Sequence, residues 1–550
     1  MPQSAEMTVG KYLIRRLKQA GLKHIFGVPG DYVLKFFDLL EASEIQVVCT
    51  CNELNAGYAA DAYARIRGLG GVCVTYGVGG FSVLNAVAGA FVERAPLVVI
   101  SGGPRLSLRK ESEPHLLHHT LENKQVELEV FRMVTAAAAI LVDPADAPRQ
   151  IDEALAACLR EQRPVYLEVP MDMVAQPCGE PGPFVTETTV SSDPAALAEA
   201  VAAASEMVRR ASNPAVWAGE EVRRLGAQEE LRAMLEHTGY PVCTSIQGKG
   251  VVPESLPSYV GTYRGPSGSQ DARQVVEGAD ALLSLGVLLT DINLGSTRSP
   301  FNPDRTIAAF ADEVRIKGAS FPQVALKDFI RGLGAALPRD CADPLRTKHP
   351  SQVLKESLEV QPGARLTTER FWQRLNRFLE GHHVILGDAG SPMLSAAELY
   401  LPDGALFLTQ AFYLSLGYTV PAALGAKLAA PDHRPLVFVG DGAFQMTCQE
   451  VSTLIRHRLN PIIFLINNDG YQIERVFHDG PYNDLQMWKY HRLPEVFGGG
   501  WGCEVKTEGE LEVALARAKE NSDSLALIEV RLDKLDLSVP LSRMAKTMKQ

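Results

Sequence analysis

The stretch Leu436–His478 constrains the chain most. It reads LVFVGDGAFQMTCQEVSTLIRHRLNPIIFLINNDGYQIERVFH. An apolar run, Leu436–Val439, ends in Gly440-Asp441-Gly442. Residues Ala443–Arg458 then carry apolar side chains at helical spacing: Phe444, Val451, Leu454 and Ile455. A second apolar run, Pro461–Ile466, ends in Asn467-Asn468. Strand, tight turn, helix and strand predict a βαβ unit with two parallel strands.

The chemistry follows from that geometry. Ligands of open parallel sheets sit beyond the carboxyl ends of the strands. Asp441 and Asn468, 27 residues apart, both fall at such ends. If the strands are neighbours, a carboxylate and an amide oxygen face one crevice, a hard donor set suited to Mg²⁺ or Ca²⁺. The turn glycines let a ligand approach the backbone, and a helix start favours phosphate. The expectation is a metal with a diphosphate. A lone GDG is ordinarily just a βα turn, but here the GDG, the spacing and the Asn pair occur together between two strands.

The GDG…NN pattern resembles the motif of thiamine diphosphate (ThDP) enzymes, and NNDGYQIERVFHDGPYNDLQMW is similar to the 2-keto acid decarboxylases that act on pyruvate, indolepyruvate or branched-chain keto acids. The resemblance runs through nearly the whole chain. NELNAGYAADAYAR is similar to the segment carrying the cofactor-activating glutamate, here Glu53. FGVPGD carries the family's acidic residue, here Asp31. HLLHHTL matches its His pair, His118 and His119, and GYQIE its late glutamate, Glu474. SLGYTVPAA matches the segment with the bulky apolar residue under the cofactor, Leu416, with Leu414 just before it.

Composition agrees with such a protein. At 550 residues a single core is excluded by ordinary domain sizes, and three domains fit. A net charge of −11 and the lack of a basic run argue against nucleic acid as a partner. Met1–Gly10 has no apolar signal core, and no run approaches the ~18 apolar residues of a membrane span. Nine cysteines without zinc spacing fit a reducing cytoplasm, with Cys49 and Cys51 read as buried thiols.

Taken in order, Val9–Ala20 is an amphipathic helix, His24–Val28 a strand, and Pro29-Gly30-Asp31 a turn opening a helix that Asp31 could cap. Ile45–Cys51 is a strand, Asn52 a cap, and Glu53–Arg67 a helix stopped by Gly68. Gly71–Tyr76, Leu97–Ser101 and Pro164–Val169 are strands, with Gly77-Val78-Gly79-Gly80 a turn before a Ser82–Glu93 helix. That turn lacks G-x-G-x-x-G, and no Walker A sequence occurs, which argues against NAD and ATP folds. The His pair lies in the polar segment Glu111–Asn123. A Pro/Gly linker, residues 176–183, precedes a central α/β region with strands at Pro214–Gly219, Pro241–Ser245, Ala281–Leu285 and Thr306–Phe310, read as a scaffold. It ends near Leu337–Pro350. Beyond it, Val384–Leu386 leads to GDAGSPM, Val420-Pro421 opens a helix, Leu525–Arg531 is a last strand and Lys534–Gln550 a polar tail. The fold class is α/β, three parallel-sheet domains.

The resemblance implies residues 1–180 as a pyrimidine-binding domain, 185–345 as a central domain and 351–550 as a diphosphate-binding domain. It implies non-oxidative decarboxylation of a 2-keto acid to an aldehyde and CO₂ by a carboxy-lyase using ThDP and Mg²⁺. It also implies a homodimer or homotetramer with active sites between subunits. Mg²⁺ falls to Asp441, Asn468 and the Gly470 carbonyl. The cofactor falls to Glu53, Asp388, Leu414, Leu416, Gly440, Asp441, Gly442, Ala443 and Asn468, and proton relay to Asp31, His118, His119 and Glu474. The chain departs from the family at Gly387–Met393, where Gly387 replaces a Glu and Pro392 and Met393 replace aromatics. With Ile473 and Phe477, these last two form an expected substrate pocket. They favour branched or longer aliphatic 2-keto acids, although a bulky Phe477 pushes the other way unless it is simply core. The alternatives are a pyruvate or indolepyruvate decarboxylase, an acetolactate synthase-like carboligase, and a non-catalytic protein that keeps the fold.

Overall fold

The computed structural model describes residues 6–110, 117–121, 123–184, 191–295, 300–339 and 349–548. Most of the end of the central region, expected at Leu337–Pro350, and part of the segment Glu111–Asn123 lie outside the described residues. The chain forms two compact units. One comprises Met1–Thr188, Tyr413–Asp432 and Met446–Leu459. The other comprises Thr189–Phe412, His433–Gln445 and Asn460–Gln550. No helix among the described residues is long and apolar enough to cross a membrane.

The first unit is built on a six-stranded, all-parallel sheet. Its strands run in the order Gln46–Cys49, His24–Gly27, Gly70–Thr75, Leu97–Gly103, Val165–Pro170, Ala137–Ile140. The inner strands are nearly continuous apolar runs, buried on both faces as parallel sheets require. The strand order reverses between His24–Gly27 and Gly70–Thr75, so a ligand crevice is expected beyond their carboxyl ends. The Glu53–Arg67 helix begins where Asn52 accepts the Asn55 N–H and stops at Gly68, which is left-handed (φ 87°). It is buried from Asn55 to Ala64. The Thr419–Ala429 helix crosses it closely: a Cβ on Gly425 would lie 1.8 Å from the Ala59 carbonyl oxygen.

The second unit holds two sheets. The seven-stranded one runs Ala319–Pro322, Glu313–Ile316, Thr306–Ala309, Ala281–Leu285, Pro214–Ala218, Val242–Thr244, Tyr259–Thr262. Its first three strands pair antiparallel, so this sheet is mostly, not wholly, parallel. The six-stranded sheet is all parallel, in the order Leu406–Leu408, His383–Gly387, Arg434–Gly440, Ile462–Asn467, Ala526–Arg531, Trp501–Val505. Phe438 and Phe464, paired across neighbouring strands, stack at 5.3 Å, and Trp372 and Phe371 of the Thr368–Asn376 helix close over them.

Several expectations are corrected. The helix expected over Ala443–Arg458 is two helices, Asp441–Thr447 and Glu450–Arg456, and the Thr447 hydroxyl donates to the Gly417 carbonyl near the break. The polar tail contains a helix, Val539–Met548, whose Leu541 is fully buried. Cys49 is half-buried and Cys51 exposed, because both lie where the Gln46–Cys49 strand ends. Asp31 caps no helix: the next one starts at Leu34 without a side-chain cap.

Candidate active site

Two groups of side chains form at the carboxyl ends of the outer sheets, one in each unit. In the second unit the Arg434–Gly440 and Ile462–Asn467 strands are parallel neighbours, with Gly440 opposite Ile466. Asp441 and Asn468 are therefore brought together beyond them. The Asp441 carboxylate accepts backbone N–H groups from Gly442 (2.8 Å), Asn468 (3.2 Å) and Gly470 (2.9 Å). Gly470 makes that approach at φ 129°, where a Cβ would lie 2.0 Å from the Asn483 carbonyl oxygen. A Cβ on Gly442 would strike the Tyr471 ring at 2.3 Å. Gly440 is half-buried, and Ala443 is buried in the first turn of the Asp441–Thr447 helix.

Burial pushes the Asp441 carboxyl up to about 6, against the pull of those three N–H groups. Among the described residues no Lys or Arg pairs with it, and the buried Asn468 side-chain amide makes no hydrogen bond. The neighbouring Asn467 amide is spent on Glu529, at 2.6 Å. A buried carboxylate lacking a counter-charge, beside an uncommitted amide, fits a hard divalent cation.

The strand order of this sheet reverses between His383–Gly387 and Arg434–Gly440, which puts the divergent segment at the crevice. Asp388 is fully buried and its N–H donates to the Phe438 carbonyl. A Cβ on Gly387 would lie 3.0 Å from the Met393 Cα, so the small residue lets the Ser391–Ala396 helix pack close. Pro392 and Met393 are buried in that helix. Ile473 reaches the same turn: its Cγ2 would be 3.8 Å from a Cβ on Gly390. Glu474 is exposed on the short Gln472–Phe477 helix. Phe477, on the same helix, is 49% exposed and is not core.

In the first unit the Gly77-Val78-Gly79-Gly80 turn organises the site. The helix starts at Val78, earlier than expected, and Gly77 and Gly80 clear room for other groups. A Cβ on Gly77 would lie 1.9 Å from the His119 carbonyl oxygen. One on Gly80 would lie 2.0 Å from Glu127 Oε1, whereas one on Gly79 would meet Val74 at 3.2 Å and sit at an ordinary 3.5 Å from Glu53 Oε1. Glu127, buried, accepts the Gly77 N–H, the Ser101 hydroxyl and the Tyr166 hydroxyl. His119 is held at φ 64°, a conformation that side chains other than glycine rarely adopt.

His118 Nε2 lies 2.5 Å from Asp31 Oδ2, and His119 Nε2 lies 3.9 Å from Asp31 Oδ1. Partial burial raises the Asp31 carboxyl, but the hydrogen bond and charge of His118 outweigh it and hold it below the usual carboxylate range. Glu53 sits in the first turn of its helix, half-buried, and its carboxylate makes no hydrogen bond or ion pair among the described residues. Sequence reasoning did not find what fixes it. The buried Glu450 carboxylate accepts the Asn55 amide (2.7 Å) and the Cys51 N–H (3.2 Å), pinning the chain on either side of Glu53.

Leu414 and Leu416 lie on the half-buried loop before the Thr419–Ala429 helix. Leu414 is left-handed (φ 58°), a strained state for a bulky residue. Side chains missed in the sequence hold the loop: Glu93 accepts the Tyr413 N–H, and Tyr58 and Asn85 both bond the Ser415 hydroxyl.

Comparison with known proteins gives these groups a context. Three family models match in order: the N-terminal TPP binding domain of thiamine pyrophosphate enzymes (residues 7–128), their central domain (201–336) and their C-terminal TPP binding domain (388–530). The chain is 36% identical to pyruvate decarboxylase 4 of Arabidopsis thaliana, over 98% of this chain and 91% of that protein. It is 37% identical to the alpha-keto-acid decarboxylase of Mycobacterium avium, over 96% and 94%. It is 36% identical to pyruvate decarboxylase 2 of Oryza sativa subsp. japonica, over 98% and 91%.

Proposed function

Because the chain belongs to the ThDP-dependent 2-keto acid decarboxylase family, we propose that it converts aliphatic 2-keto acids of four to six carbons, in preference to pyruvate, to the aldehyde and CO₂. The observation that carries a decarboxylase rather than a carboligase reading is the Asp31–His118–His119 cluster. Aldehyde release needs a proton delivered to the carbon that loses CO₂, and an acid–base cluster at a ligand crevice can deliver one.

Asp441, Asn468 and the Gly470 carbonyl would hold Mg²⁺ on the diphosphate, since Asp441 otherwise buries an uncompensated charge. Glu53 would accept a hydrogen bond from the aminopyrimidine ring, a charge-assisted contact for which its carboxylate has no competing partner among the described residues. Leu416 would press the cofactor into a bent shape. When bound, ThDP supplies a carbon nucleophile and an electron sink. Asp31, His118 and His119, with Glu474, hold and move the protons.

Residues 1–180 would bind the pyrimidine and 351–550 the diphosphate, with 185–345 between them as scaffold. The assembly would be a homodimer or homotetramer in the cytoplasm, its active sites formed between subunits. The test is product analysis of the holoenzyme with pyruvate, 2-ketobutyrate, 2-ketoisovalerate and 2-ketoisocaproate. Aldehyde in step with CO₂ is expected. Acetolactate as the main product of pyruvate would replace this reading with a carboligase.

A further inference from the structure

Asp31, His118 and His119 come from two separate loops, yet each offers one ligand atom within 4.8 Å of the other two. Both imidazole Nε2 atoms face the same carboxylate, His118 at 2.5 Å from Oδ2 and His119 at 3.9 Å from Oδ1. Consecutive residues of an extended chain point to opposite sides. His118 and His119 escape that rule because His119 is left-handed, at φ 64°, and their rings meet edge to face with centroids 4.8 Å apart. The fold fixes this unusual turn. The His119 carbonyl fills the space that a side chain at Gly77 would need, and Tyr32, directly after Asp31, stacks on the His118 ring at 4.7 Å. Two imidazoles and a carboxylate are thus held on one point by a strained backbone and its packing.

We propose that Asp31, His118 and His119 form a binding site for a transition-metal dication, Zn²⁺ foremost. Two nitrogens and one oxygen suit Zn²⁺ or Co²⁺, whereas the all-oxygen set at Asp441 suits Mg²⁺. With Zn–N and Zn–O bonds of about 2.0–2.1 Å, tetrahedral ligands stand about 3.4 Å apart. The separations of 2.5 Å and 3.9 Å bracket that spacing, so small side-chain rotations close the site. More than half of the His118 and Asp31 side chains is exposed, which leaves an entry path and room for water as the fourth ligand. Asp31 is held below the usual carboxylate range and brings a full negative charge at neutral pH. The proton shared by His118 and Asp31 goes to solvent as the metal enters, because each imidazole must present a free lone pair. A filled site ties up the groups assigned to moving protons. Its effect on turnover therefore rests on the proton-relay reading, while the binding itself does not.

The test is calorimetric titration of the holoenzyme with Zn²⁺, with Mg²⁺ and ThDP in excess so that the Asp441 site is filled. Wild type should take up one Zn²⁺ per chain. His118→Gln removes one imidazole. His119→Asn removes the other with a residue that tolerates the left-handed backbone. Losing a group that merely orients a metal ligand costs about 10- to 100-fold in affinity, so losing a ligand should weaken Zn²⁺ by at least about 10²-fold in each variant. Co²⁺ should give wild type the strong visible absorption of a four-coordinate nitrogen–oxygen site, and neither variant should show it. A rise in melting temperature with Mg²⁺ and ThDP, equal in all three proteins, shows that the variants are folded. No saturable Zn²⁺ site in wild type, a weak octahedral cobalt spectrum, or equal Zn²⁺ affinity in all three would overturn the assignment. If wild type makes no aldehyde from any keto acid, the relay reading falls, and the Zn²⁺ affinities still decide the metal site. Where aldehyde is made, turnover should fall in step with Zn²⁺ occupancy.

Discussion

Oδ2 of Asp441 accepts the backbone N–H of Gly470 at 2.9 Å, across 29 residues of chain, and this contact closes the loop between two neighbouring strands over a buried carboxylate. The carboxyl is raised from 3.8 to about 6, mainly by burial. A raised acid favours the fold below its unfolded value, and that contribution is lost as pH rises through about 6. At pH 7.5 the ionised group therefore costs the cofactor-free protein about 3 kcal/mol, which a cation bound beside it would offset. Mg²⁺ with ThDP should raise the melting temperature of wild type at pH 7.5, and less at pH 5.5, where protons compete. Asp441→Ala should show no rise at either pH. An equal rise in mutant and wild type would remove Asp441 from the site.

Glu53→Gln tests the other unit. The carboxylate has no partner among the described residues, and its surroundings are fixed through Asn55 and Cys51 rather than through itself. The variant should therefore fold and still be stabilised by Mg²⁺ and ThDP. Turnover should fall at least about 10²-fold, the lower range for a group acting on proton transfer. Turnover within a few-fold of wild type would contradict the assigned role.

The placement of these two residues at strand ends was legible in the sequence because its signals are local. A strand end, a cap at Asn52 and a 27-residue spacing can be read without knowing what packs where. The contacts that hold the site segments were not legible, because they span 86 residues (Tyr32–His118), 330 (Asn85–Ser415) and 395 (Asn55–Glu450, beside Glu53). The glycine turn at Gly77–Gly80 was visible as a turn. The space it clears, for His119 and Glu127, depends on groups that only the fold brings near. The central antiparallel strands were missed because strands as short as Ala319–Pro322 carry little periodicity, whereas the Val539–Met548 helix was overlooked although Leu541, Met544 and Ala545 stand at helical spacing.

His383 should set part of the acid sensitivity. It begins a strand, is 4% exposed, and its Nδ1 accepts the Glu380 N–H at 3.0 Å. Burial, and then the charge of His382, lower it to about 3. The unfolded chain therefore binds a proton that the fold refuses. Stability is unaffected above about pH 6.5 and falls as pH drops towards 3, by about 1.4 kcal/mol at pH 5.5. His383→Asn keeps an acceptor for the Glu380 N–H and removes the titration. The gap between urea midpoints at pH 7.5 and 5.5 should narrow in that variant. An unchanged gap would place the acid sensitivity elsewhere.

If the substrate pocket lies where proposed, substrate size should be decided around the turn where Ile473 approaches Gly390. Phe477 was expected to oppose larger substrates, but about half of it is exposed, one turn along the helix from Ile473. Removing its ring should leave the order of substrates unchanged. Each extra methylene of substrate buried in the transition state is worth about 0.8 kcal/mol, hence about fourfold in kcat/KM. Wild type should therefore use 2-ketobutyrate and 2-ketoisovalerate better than pyruvate. Ile473→Ala, which shortens the side chain at this turn, should raise the ratio of kcat/KM for 2-ketoisocaproate over pyruvate by at least about fourfold. The measurement is kcat/KM for this series, with phenylpyruvate added, in wild type, Ile473→Ala and Phe477→Ala. Pyruvate ranking first with wild type would defeat the size argument and leave the decarboxylase family assignment untouched. A change of ranking in Phe477→Ala but not in Ile473→Ala would move the pocket one turn along the same face of the Gln472–Phe477 helix.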